Sequence, residues 1–222
     1  MRLTRCFVDL PLSVGGNVAL PESVAAHLVR VLRLQQGDAC VLFNGDGHDY
    51  AARLLSVGKR EVLADIEAAQ AIANESPLHL TLVQGIARGE KMDLILQKAT
   101  ELAVAAIIPV MAERTEVKLD AERTSKRMAH WRSVVVSACE QSGRACLPDL
   151  AQPLSLAHGA AAIADDCMKL SLDPAGTDSL ICLPAPVANR IAVAIGPEGG
   201  WSPRDRETLR LAGFSGLRLG PR

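Results

Sequence analysis

Ile191-Ala-Val-Ala-Ile195-Gly-Pro-Glu-Gly-Gly200-Trp-Ser-Pro203 is the stretch on which the fold of this 222-residue chain turns. Five apolar residues run without alternation and stop at Gly196-Pro197, the pattern of a strand covered on both faces in a mostly parallel sheet. Gly196, Gly199 and Gly200 open backbone angles closed to other residues and keep side chains out of a ligand's way. Ser202 can cap a following helix, Pro203 suits its first turn, and Asp205 stands where a capping-box acid belongs. That helix is predicted over Pro203–Ala212, with Gly213 as a left-handed stop. A strand, a glycine loop and a helix make a ligand-binding edge of an α/β sheet. The loop has neither the GxGxxG of dinucleotide folds nor the GxxxxGK[ST] of phosphate loops. Taken alone, Gly-Pro-Glu-Gly-Gly also fits an ordinary tight turn.

The preceding chain supports the sheet. Leu78–Val83 reads as a strand, and Lys91–Val104 as an amphipathic helix with Met92, Ile95, Ala99, Leu102 and Ala106 on one face. Ile107–Met111 is the next strand, so a βαβ unit is in place. Arg114 follows that strand, where such folds carry ligand contacts. A long helix buries Met128, Trp131, Val135 and Ala138 and ends in Glu140-Gln-Ser-Gly-Arg144, with Trp131 read as core or interface. Lys169–Leu172 and Leu217–Leu219 are short strands. Before residue 70 the grammar differs: strands at Cys6–Leu10, Ala39–Phe43, Tyr50–Leu55 and Glu61–Ile66 surround one helical segment through Val24, His27, Leu28, Val31 and Leu32. Asn44-Gly-Asp-Gly47 is a strong hairpin signal, so a small antiparallel barrel or sheet is expected. His27 reads as a helix-face or core residue, and Ala68–Pro77 as a linker.

Composition bounds the rest. Apolar residues make up 49% and the formal charge is −1, which suits a globular fold and gives no global nucleic-acid signature. Any RNA site must be a local patch, for which Arg2, Arg5, Arg30 and Arg33 are candidates. No leader or membrane span is expected. Six cysteines without a CxxC pair speak against a zinc site or disulfide framework and suit a reducing cytoplasm.

Several motifs then fall into one order: Arg5-Cys-Phe-Val8, His27…Val31-Leu-Arg33…Gly37-Asp38, Gln97-Lys-Ala-Thr-Glu-Leu102, Glu140-Gln-Ser-Gly-Arg144, Gly196-Pro-Glu-Gly-Gly200 and Leu219-Gly-Pro-Arg222. Across essentially the whole chain this set resembles the bacterial ribosomal RNA uridine-N3 methyltransferases of the SPOUT class, the RsmE type. The resemblance implies a PUA-like RNA-binding β-barrel over residues 1–72. It implies an α/β SPOUT domain with a deep trefoil knot over 73–222, and a homodimer in the cytoplasm without metal or membrane. The implied cofactor is S-adenosylmethionine, held by loops containing Leu172, Ile195, Gly196, Pro197, Glu198, Gly199 and Gly200, and Leu219, Gly220 and Pro221. The implied product is N3-methyluridine in 16S ribosomal RNA of the small subunit. The family pattern also continues past Leu-Gly-Pro-Arg into a further stretch and a final helix, so a missing C-terminal tail is expected.

The chemistry of such a reaction names its own requirements. Uracil N3 is a poor nucleophile until its proton leaves, so a base near N3 and positive charge near the flanking carbonyls are needed. Candidates are Arg114, Glu140, Gln141, Arg144 and Glu198. The arginines would meet phosphate or carbonyl oxygen, and Glu140 or Glu198 would be the base. Glu140 equally suits a helix-end salt bridge with Arg144, and Glu198 a loop-shaping role. A non-catalytic RNA-binding or ribosome-assembly factor on the same fold is the alternative. A Rossmann oxidoreductase is disfavoured by the absent GxGxxG.

Overall fold

A computed structural model describes residues 3–58, 61–116 and 120–220. The chain divides into two units: Met1–Glu75 with Val136–Leu147, and Ser76–Val135 with Pro148–Arg222.

In the first unit, strands β1 (Arg5–Phe7), β2 (Asn17–Ala19), β3 (Ala39–Phe43), β4 (His48–Val57) and β5 (Val62–Ala71) form one sheet in the order β1-β3-β4-β5-β2. Alternation along β3, β4 and β5 sends Cys40, Leu42, Tyr50, Ala52, Leu54, Val62, Ala64 and Ile66 into one core with Val8 and Leu28. Each large apolar side chain buried there contributes about 1.5–3 kcal/mol. The Asn44–Gly47 turn joins β3 to β4, with Gly45 and Gly47 at φ +95° and +91°. Asn44 Oδ1 accepts from Asp46 N and Asp46 Oδ1 from His48 N, the local bonds that make Asx residues turn formers. A short helix α1 (Glu22–Ala26) runs into a π-helical turn, His27–Val31.

Two expectations need correction here. The sheet is not wholly antiparallel, because β1 pairs with β3 in parallel. Nor is Ala68–Ala71 linker: it continues β5 against β4, with Ala69 opposite Tyr50 and Ala71 opposite His48. Those residues are exposed, so the ladder of backbone bonds holds them without any hydrophobic alternation to reveal it.

The second unit contains β6 (His79–Gly85), α2 (Gly89–Glu101), β7 (Ala106–Met111) and the first turns of α3 (Ala121–Ser142). There follow β8 (Asp149–Leu150), β9 (Leu154–Ser155), α4 (Leu156–Ala161), β10 (Met168–Leu172), β11 (Asp178–Ser179), β12 (Arg190–Ile195), α5 (Pro203–Leu211) and β13 (Ser215–Arg218). The sheet order is β11-β13-β10-β12-β6-β7-β8, with β9 also on β7, and its pairs are parallel. One face packs Val83, Ala192 and Ala194 against α4 and α5 through Ala160, Trp201, Leu209 and Phe214. The other packs Leu82 and Ile107 against Met92, Leu96 and Ala99 of α2 and Trp131 and Val135 of α3. Cover on both faces is why β12 reads as an unbroken apolar run from Ile191 to Ile195. The stripe expected on α2 is corrected at its end: Leu102 is 77% exposed. The helix stops at Glu101, Ala103 turns at φ +63°, and Ala106 already belongs to β7. Leu96 and Thr100 complete the buried face instead. No helix among the described residues is long and apolar enough to cross a membrane.

Candidate functional site

Because β13, β10 and β12 are parallel neighbours, the loops leaving their C-terminal ends emerge side by side on one edge of the second unit. Those loops begin at Leu172, at Ile195 and at Leu219, three of the positions expected to hold a cofactor. The topology therefore gathers Leu172, Ile195, Gly196, Pro197, Glu198, Gly199, Gly200, Leu219 and Gly220, while Pro221 lies outside the described residues.

The glycine loop is shaped by crowding of backbone on backbone. A Cβ on Gly196 would stand 3.0 Å from the carbonyl carbon of Gly200, and one on Gly85, at the end of β6, 2.6 Å from Pro197 N. Gly200 closes the turn by donating to Pro197 O at 2.8 Å and takes φ +65°. Trp201 then buries itself between sheet and α5, and Ser202 starts that helix. Ser202 Oγ accepts from Asp205 N at 3.1 Å while Asp205 Oδ2 accepts from Ser202 N at 3.0 Å, the capping box that the sequence foreshadowed. The loop after β10 is fixed too: Asp173 N donates to Leu217 O, and Arg206 of α5 reaches Asp173 Oδ2 at 2.8 Å.

Charged groups ring this edge. Glu198 Oε1 accepts from Arg88 N at 3.1 Å, with Lys91 Nζ at 3.8 Å. Its own backbone N–H first, and that of Arg88 second, hold its carboxyl below the ordinary glutamate value. Arg114 Nη1 donates to Gly199 O at 2.6 Å, and its aliphatic stem lies where a Gly199 Cβ would come within 3.3 Å. Gln84, buried at the end of β6, donates to Gly85 O at 2.8 Å and leaves Oε1 without a partner among the described residues. Beside the loop, an apolar cleft of about 490 Å³ runs between α2 and the sheet, lined by Leu80, Leu82, Ile95, Val193 and Ile195.

The remaining expected residues belong to the first unit. Arg5 is buried: it makes a two-pronged pair with Asp49, donates to Cys139 O at 2.8 Å and to Arg144 O at 3.2 Å, and stacks 4.4 Å over Phe43. Arg144 is equally enclosed, forked onto Glu75 at 2.9 and 2.7 Å. Glu140 Oε1 accepts from Phe7 N at 3.0 Å, and Gln141 is exposed. Arg30 and Arg33 are exposed on the π-helical turn and just beyond it, Arg33 at φ +60°, with Val31 66% exposed between them. His27 is exposed on the helix face. Arg2 lies outside the described residues. Sequence reasoning missed Gln84, Arg88, Asp49 and Glu75. Gln84 carried a signal, as a polar residue directly after Leu82-Val83 in the strand; the others act through contacts too distant in sequence to leave one.

Residues 74–222 match the family described as RNA methyltransferase domain, and residues 20–67 the family described as RNA methyltransferase PUA domain. Among curated relatives, ribosomal RNA small subunit methyltransferase E of Bacillus subtilis is 29% identical over 99% of this chain and 90% of its own. The enzyme of the same name from Buchnera aphidicola (Schizaphis graminum strain) is 28% identical over 100% and 89%. Among solved structures, the Neisseria gonorrhoeae ribosomal RNA small subunit methyltransferase E bound to S-adenosyl methionine superimposes with a TM-score of 0.91. It is 36% identical and is matched over 100% of this chain and 90% of its own.

Proposed function

This chain belongs to the RNA methyltransferase family of ribosomal RNA small subunit methyltransferase E, and from that premise we propose that it methylates N3 of a uridine in 16S ribosomal RNA with S-adenosylmethionine. The observation that carries the proposal is the glycine loop Gly196–Gly200, which leaves β12 beside the C-terminal end of β10 and is so tight that a Cβ at Gly196 would stand 3.0 Å from the Gly200 backbone. Backbone groups unmasked by side chains suit an adenosine and an amino-acid zwitterion, and the residues present fit that ligand. In the same reading, residues 1–72 are the PUA-like RNA-binding domain and 73–222 a SPOUT domain with a deep trefoil knot. The enzyme works as a homodimer in the cytoplasm.

S-adenosylmethionine, when bound, supplies an electrophilic methyl group; the residues do the rest. Leu172, Ile195, Gly196 through Gly200, Leu219, Gly220 and Pro221 would hold it through main-chain groups. Arg114 keeps guanidinium nitrogens beyond the one given to Gly199. It would face a uracil carbonyl oxygen and stabilise the negative charge that grows as N3 loses its proton. Glu140 and Glu198 are the two carboxylates proposed to take that proton. Glu198 is stabilised as an anion, which weakens it as a base and favours a loop-holding role. Gln141, Arg144, Arg2, Arg5, Arg30 and Arg33 are proposed to serve the RNA. Arg30 and Arg33 would do so by direct phosphate contact, and the enclosed Arg5 and Arg144 by holding the unit that presents them.

The test is titration calorimetry of S-adenosylmethionine into the chain, followed by methyl transfer onto unmethylated small ribosomal subunits with nucleoside mass spectrometry. Saturable binding and N3-methyluridine are expected. Binding with RNA association but no methylated nucleoside would replace this reading with the non-catalytic one.

A further inference from the structure

We infer that Asp205 is the positioning residue that sets Arg114 on the glycine loop; this rests on the functional reading above. A capping-box acid has one duty, to accept from the N-cap backbone, and Asp205 does this at Ser202 N, 3.0 Å. Its carboxylate also takes a second donor that no helix cap requires. Glu113 N, on the loop after β7, lies 3.2 Å from Oδ1 and 3.3 Å from Oδ2. Only 5% of Asp205 is exposed, so this link is shielded from competing water.

Glu113 belongs to a tight turn closed at both ends. Thr115 N donates to Ala112 O at 3.0 Å, and Ala112 N donates to Thr115 Oγ1 at 2.9 Å. Pinning Glu113 N therefore fixes the whole turn, Arg114 included. Arg114 in turn meets Gly199, six residues before Asp205, through a bond that is itself exposed. An exposed hydrogen bond on a long side chain contributes little to its own placement. The buried carboxylate sets the distance between the two loops, and the arginine works within it.

The experiment compares Asp205→Asn, Asp205→Glu, Ser202→Ala and Arg114→Ala with the parent chain and adds the double variant Asp205→Asn with Arg114→Ala. Backbone amide exchange is one readout and the kcat of methyl transfer the other. Asp205→Asn keeps one acceptor and loses the other, so exchange at residues 112–115 should accelerate together with that at 199–200. The kcat should fall up to roughly 10²-fold, as about 1 Å of misplacement can produce, while the KM for S-adenosylmethionine moves far less. Asp205→Glu should restore much of the rate. Ser202→Ala, which weakens the same helix cap without touching Glu113, should lower Tm and leave the 112–115 amides and kcat near the parent. In the Arg114→Ala background, Asp205→Asn should cost little more, because both act through one group. Unchanged exchange at 112–115 in Asp205→Asn overturns the proposal, as does a full additional loss in the double variant. A parent chain that binds cofactor without methylating RNA would count against the functional reading alone, since the exchange data still decide the role of Asp205.

Discussion

Arg5 leaves 7% of its side chain exposed, and its guanidinium is met by the Asp49 carboxylate, two carbonyls near the end of α3 and the face of Phe43. Removing Arg5 leaves the Asp49 carboxylate, 20% exposed, without its counter-charge, so the cost should fall below the roughly 3–5 kcal/mol of a fully buried pair. Arg5→Ala should show that loss as a lower urea midpoint with an unchanged slope. Glu198 makes a prediction in pH. Its folded carboxyl lies below the ordinary value of 4.5, so its contribution is complete above that pH and is lost as pH falls through the folded value. The Tm difference between the parent and Glu198→Gln should be flat near neutrality and close in acid; a difference that persists at low pH would contradict the assigned hydrogen bonds. Burial pushes the thiols of Cys6 up to about 12 and of Cys40 and Cys139 up to about 11, leaving scarcely any thiolate at neutral pH. The exposed Cys182 should label with maleimide first, and those three only as the fold opens.

The glycine loop and its helix show how element-scale features divide into legible and illegible parts. Ser202, Pro203, Asp205 and Gly213 announced α5 because capping and termination depend on neighbours a few residues apart. The second bond of Asp205 spans 92 residues and left no local trace. The same rule explains the misread ends: Leu102 kept helical spacing beyond the last helical residue, and Ala68–Ala71 lost alternation while staying in the ladder. Strand order was likewise hidden, although it is what sets Leu172, Ile195 and Leu219 on one edge. Two glycines separate the kinds of constraint. Gly85→Ala drives a methyl to 2.6 Å from Pro197 N, so it should displace the loop and abolish S-adenosylmethionine binding. Gly200→Ala meets open space among the described residues and only the strain of φ +65°, which should cost about 1–2 kcal/mol in Tm measurements and leave binding within a few-fold.

At the scale of the molecule, the chain enters its first unit twice. Met1–Glu75 supplies the sheet, and Val136–Leu147 returns with the carbonyls that Arg5 binds, the carboxylate that takes Phe7 N and the guanidinium that takes Glu75. Asn74 and Gly47 also bond to Gly143 and Ala145. A chain ending at residue 75 should therefore melt without a sharp transition by circular dichroism, and one covering both segments should regain it. The two-part build was invisible in the motif order, because the motif Glu140-Gln-Ser-Gly-Arg144 sits on a helix that reads as continuous with its neighbours in the second unit. It also imposes a timetable on birth. At about 5–20 residues per second, a ribosome takes roughly 3–12 s to extrude residues 76–135. Throughout that interval the first unit has its strands but not its closing segment, with Arg5 and Glu75 still lacking the partners that residues 136–147 will bring. The arrival of residues 136–147, rather than the end of the first sheet, is the moment at which the newborn first unit can become stable.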